Sequence, residues 1–65
     1  MSHPNGNHVE YRGYNLDAVQ YGPGWRVHIA AGPQLLRTQP DHVSALTRED
    51  AFAKARAIVD HHLLG

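Results

Sequence analysis

The sequence predicts an α+β domain in which a three-stranded antiparallel sheet, a β-β-β meander, packs on one C-terminal α-helix. Three observations predict it. The stretch from Thr47 to Leu63 opens with a helix-start signal and carries a single apolar stripe. The run from Trp25 to Ala30 alternates apolar and polar residues with a period of two. Gly22-Pro23-Gly24 and Ala31-Gly32-Pro33 punctuate the strand-like runs with turn residues. An apolar helix stripe and an apolar sheet face bury each other most simply as two layers.

Taken in order, residues 1–7 contain Pro4, Asn5, Gly6 and Asn7 and almost no apolar side chain, which predicts a flexible leader ahead of a single domain over 8–65. From Val9 to Tyr21 the chain is rich in aromatic and branched residues, and the expectation is one long first strand, bulged or bent at Arg12-Gly13. Gly22-Pro23-Gly24 is a hairpin loop, because glycine tolerates positive φ and proline fixes its own. In the second strand Trp25, Val27 and Ile29 point one way, and Arg26, His28 and Ala30 the other. After Ala31-Gly32-Pro33, Gln34 to Thr38 is long enough for a short third strand. Gln39 to Leu46 then returns the chain, with Val43 and Leu46 tucked under the helix.

Thr47 reads as the helix N-cap, with Glu49 and Asp50 placed where the helix dipole favours negative charge. At 100° per residue, Ala51, Phe52, Ala55, Ile58, Val59 and Leu63 share one face, and Ala53, Lys54, Ala57, Asp60 and His61 the other. The expected core sets Leu16, Ala18, Trp25, Val27, Ile29 and one of Leu35 and Leu36 against Phe52, Ala55, Ile58, Val59 and Leu63. Asn15, Asp17, Val19, Tyr21, Arg26 and His28 are left on an open sheet face.

Size and composition narrow the function. A chain of 65 residues without cysteine has neither disulfides nor a thiolate metal site to reinforce a small core, and a domain of this size buries only about 60% of its unfolded surface. Six basic and six acidic side chains balance, which argues against a strong non-specific nucleic-acid binder. No apolar run approaches a membrane span, and the first residues lack a signal-peptide layout, so a soluble cytoplasmic protein is expected.

The six histidines show no metal-binding spacing: His61 and His62 are adjacent and diverge by about 100° on a helix, and no HExxH motif exists. Asp41, His42 and Ser44 are neighbours in a loop, whereas catalytic triads are assembled from distant segments. The expectation is a protein without enzymatic activity, metal or cofactor. Arg12, Arg26 and Arg37, interleaved with Tyr21, Trp25 and His28, form the grouping most like a partner- or nucleic-acid-binding surface. On the outer side of the helix Ala53 and Ala57, four residues apart, leave a shallow track suited to a homodimer contact.

Gly24-Trp25-Arg26-Val27-His28-Ile29, followed by Thr47-Arg48-Glu49-Asp50-Ala51 and the amphipathic helix, resembles the short HicB-type antitoxins and their small bacterial relatives over roughly residues 14 to 63. The family's usual Leu-Pro-Gly-Cys segment is replaced here by Ala30-Ala31-Gly32-Pro33-Gln34-Leu35. A second likeness, carried by Tyr11-Arg12-Gly13 and Trp25, is to the plant ethylene-response-factor DNA-binding domain, which also runs three strands and then a helix. The first resemblance implies a non-catalytic module that binds a protein partner, toxin-like in that family, through its open sheet face or an edge. The second implies a nucleic-acid-binding sheet using Arg12, Tyr21, Arg26, His28 and Arg37.

Overall fold

The computed structural model describes residues 7–64, so the predicted leader, Asn7 apart, lies outside the described residues, as does Gly65. Four strands are followed by one helix: β1 (His8–Tyr11), β2 (Tyr14–Tyr21), β3 (Gly24–Ala31), β4 (His42–Ala45) and α1 (Arg48–Leu64). The strands pair in sequence order as a single antiparallel sheet. The architecture is the expected α+β one, with four strands where three were predicted.

The extra strand comes from Arg12-Gly13, which is a tight turn and not a bulge. Tyr11 pairs with Tyr14, and the two residues between them have φ of 53° and 89°. Two consecutive positive φ values characterise the primed turn that matches the right-handed twist of a hairpin. Arginine at the first position lacks the usual Asn-Gly or Asp-Gly signature, which is why the segment reads as one interrupted strand. Folding back places Val9 opposite Leu16, on the helix-facing side. At the next hairpin Gly22 takes φ of 58° ahead of Pro23, and Tyr21 pairs directly with Gly24.

The predicted third strand over 34–38 is a loop, and the strand that follows β3 lies further on, at His42–Ala45. A turn closed by Leu35 N donating to Gly32 O (3.1 Å) carries the chain away from the sheet edge. The loop is pinned from beneath by the Tyr14 hydroxyl, which donates to Leu36 O (2.7 Å), and braced within itself by the buried Thr38 hydroxyl, which donates to Pro40 O (3.0 Å). The Gln39–Pro40 peptide is cis. Pairing resumes where Ile29 N donates to Asp41 O (2.7 Å). The sequence of β4 alternates cleanly, His42 and Ser44 outward, Val43 and Ala45 half-buried, whereas Leu35-Leu36 cannot alternate.

The helix begins as predicted. Asp50 N donates to Thr47 Oγ1 (3.1 Å), which satisfies one of the otherwise orphaned first-turn amides, and Ala51 N donates to Thr47 O (3.0 Å) as the first intrahelical bond. Helix α1 lies over β2, β3 and β4. The core joins Tyr14, Leu16 and Ala18 of β2 and Val27 and Ile29 of β3 to Ala51, Phe52, Ala55 and Val59. Trp25 and Ile58, expected within it, are half-buried at its rim. Neither Leu35 (36% exposed) nor Leu36 (79%) enters the core, nor do Leu46 (77%) and Leu63 (39%). The loop holds the first pair outside the two layers, Leu46 lies past the end of β4, and Leu63 falls in the last helical turn.

Candidate interaction surface

The helix covers one side of the sheet, no described element covers the other, and the Cα framework is only 14 Å thick in its thin dimension. Strand register decides what that bare side presents. His8 pairs with Asp17, Asp17 with His28 and His28 with His42, so one transverse row crosses all four strands with three imidazoles and a carboxylate. The neighbouring row is Val19, Arg26 and Ser44, and Glu10, Asn15 and Ala30 form the row on the other side.

Within the first row, His8 Nδ1 lies 2.5 Å from Asp17 Oδ1, and the carboxylate raises the His8 pKa above its ordinary value. His28 and His42 rings face each other at 6.4 Å between centroids. At the end of the row the His42 imidazole, 3.1 Å from Asp41 Oδ1, holds the Asp41 carboxyl below the usual carboxylate range. Ser44, two residues along β4, makes no hydrogen bond to His42 among the described contacts. No group of three or more His, Asp or Glu side chains among the described residues converges so that it could hold a metal ion.

Tyr21 and Arg26 act as one unit on this face. The Arg26 guanidinium carbon sits 3.9 Å from the centre of the Tyr21 ring, within cation–π range. Tyr21 is 54% exposed and Val19 46%. The Arg26 Nε is buried without a hydrogen-bond partner, which leaves the ring stack to hold the side chain in place.

The five residues predicted for binding are thus not brought together as one patch. Tyr21, Arg26 and His28 share the open face. Arg12 sits in the β1–β2 turn with its Nη1 donating to Asp60 Oδ1 of the helix (2.7 Å). Arg37 lies in the β3–β4 connection, beside the helix. Of the helix alanines, Ala53 is exposed, while Ala57 shares a groove with Gln39 and Pro40. Trp25, on the helix side of β3, has the Arg48 guanidinium 5.9 Å from its ring centre, and Arg48 in turn donates to Asn7 Oδ1 (3.1 Å).

Two residues the sequence reading passed over do structural work around this surface. Asp60, placed on the outer helix face by its angle, accepts from both Arg12 and the Tyr11 hydroxyl (2.9 and 3.0 Å to its two oxygens). These donors hold its carboxyl below the usual range, and the carboxylate in turn raises the Tyr11 hydroxyl and the Arg12 guanidinium above theirs. Tyr14 is fully buried. No sequence signal marks Asp60, because its partners come into reach only once the unrecognised hairpin folds back. No protein-family model, curated protein or solved structure matches the chain.

Proposed function

We propose that this protein is a small non-catalytic interaction module, antitoxin-like in the sense of the short HicB-type resemblance, that binds a protein partner through the open face of its sheet. The observation that carries this reading is the uncovered Val19, Tyr21 and Arg26 patch, in which the arginine is already stacked on the tyrosine. Tyrosine and arginine are the residues most often found at the energetic centres of protein interfaces, and a pre-stacked pair loses less side-chain entropy on docking. The next row along the sheet carries Asp17 with His8, His28 and His42, and the row beyond it carries Glu10, a pattern suited to the mixed charge of a protein partner. The uniform charge of a phosphate backbone is served less well, since Arg12 is committed to Asp60 and Arg37 lies beside the helix.

A photo-crosslinking residue placed at Val19 tests the reading directly. In native extract it should capture a discrete protein that the same residue at Ala53, exposed on the helix, does not, and Tyr21→Ala should abolish the capture. Capture that is indifferent to Tyr21→Ala overturns the proposal. Retention of mixed DNA and RNA fragments at about 50 mM salt, with a log–log salt slope near −3, moves the assignment to nucleic acid. A second copy of this chain is itself a partner of the required kind. Val19→Lys dissociates a homodimer formed through the sheet, and Ala57→Glu one formed through Ala53 and Ala57; sedimentation equilibrium reads both.

A further inference from the structure

On the side away from the open face, the β3–β4 connection and the second half of α1 enclose a groove of about 560 Å³, within the range typical of small-molecule sites. Arg37, Gln39 and Pro40 form one bank, and Ala57, Ile58, His61 and His62 the other. Both banks are fixed. His62 packs edge-on against Tyr14 (6.2 Å, 87°), Tyr14 holds the loop through its bond to Leu36 O, and the Thr38 bond to Pro40 O braces the loop internally.

The electrostatics of the groove are one-sided. Among the described residues no carboxylate lines it. The nearby acids are engaged elsewhere, Asp60 by Arg12 and Tyr11, and Asp41 by His42. Arg37 feels the charge of Asp41, yet it has no hydrogen-bond or ion-pair partner among the described residues. A guanidinium, two imidazoles and the Gln39 amide therefore share the groove with the apolar side chains of Pro40, Ala57 and Ile58. A guanidinium fork matches a carboxylate with two parallel hydrogen bonds, and Pro40, Ala57 and Ile58 offer an attached hydrocarbon an apolar surface.

From this convergence we infer that the groove binds a carboxylate carried on a short apolar body, with Arg37 taking the charge and Pro40, Ala57 and Ile58 the hydrocarbon. The chemistry has two sources, a free short-chain organic acid or the C-terminus of a peptide ending in an apolar residue. Amide NMR titration of the whole chain tests it, with four probes: hexanoate, hexanamide, an acetylated tripeptide ending in leucine, and that tripeptide as its C-terminal amide. The two acids should shift the signals of Arg37, Ile58 and His61, and the two amides should not.

Arg37→Gln should weaken the acids by about tenfold or more, as expected for loss of a charge-assisted pair. Ala57→Phe, which fills the groove, should abolish binding, while Arg26→Gln on the open face should leave it unchanged. Tighter binding of the peptide acid names the peptide source, and tighter binding of hexanoate the free acid. Equal shifts from acids and amides, no response to either acid at about 10 mM, or indifference to Arg37→Gln in a variant with an intact amide spectrum overturns the inference. Because the open face plays no part in these readouts, failure here is separate from failure of the interaction reading.

Discussion

Asp60 and His8 set opposite pH dependences on stability. Arg12 and Tyr11 depress the Asp60 pKa in the folded chain, so the unfolded chain binds more protons in that range. The stabilisation is complete above the ordinary aspartate value and is lost as pH falls through the depressed one. For His8 the shift is upward, through Asp17, so its contribution is complete below the ordinary histidine value and is lost as pH rises through the raised one. Urea midpoints measured across pH should therefore decline at both ends. Asp60→Asn should flatten the acid limb, and Asp17→Asn should lower the His8 pKa in an NMR titration. An unmoved His8 titration would show that the Asp17 pair does not form in solution.

At the scale of elements, the helix start, strand β4 and the helix–sheet core each rest on a contact that a single substitution removes. Thr47→Ala deletes the cap oxygen that accepts from Asp50 N, at a cost of about 1 kcal/mol in urea-unfolding free energy. Gly24 is buried, and a Cβ there would run into the backbone carbonyl of Ala45. Gly24→Ala should consequently loosen β4, seen as faster amide exchange at His42 to Ala45 than in β2. Phe52→Ala should cost about 3–5 kcal/mol, a large part of the stability of so small a domain; an unshifted urea midpoint would remove Phe52 from the core.

The elements that local chemistry specifies were legible in the sequence. The Thr47 cap, the Ala51–Phe52–Ala55–Val59 stripe and the Val27–Ile29 alternation needed only residues within a turn or two of each other, and they stand as read. Arg12-Gly13 was misread because its turn is stabilised by pairing eight-residue β2 with a four-residue β1, not by a favoured turn dipeptide. Gln34 to Thr38 was misread because what keeps it out of the sheet, the Tyr14 hydroxyl, belongs to another strand. The same division holds for the candidate site: alternation placed Tyr21, Arg26 and His28 on one face, but nothing local announced that Arg12 would be drawn to Asp60 or Arg37 to the helix.

Across the whole molecule, neighbouring strands pair with neighbouring strands, and two of the three links are two-residue turns. The bonds from Tyr11 and Arg12 to Asp60 span 49 and 48 positions of chain, so closing their loop costs more chain entropy than closing the two-residue turns, and the meander and helix are expected to form first. That order has a kinetic consequence. Chains dominated by local pairing fold quickly, and interactions absent from the transition state act on the escape rate alone. Asp60→Asn should accordingly leave the refolding arm of a stopped-flow chevron where it was and raise the unfolding arm. The clasp between the first hairpin and the last helical turns would then govern how long the native chain persists, and not how fast it forms.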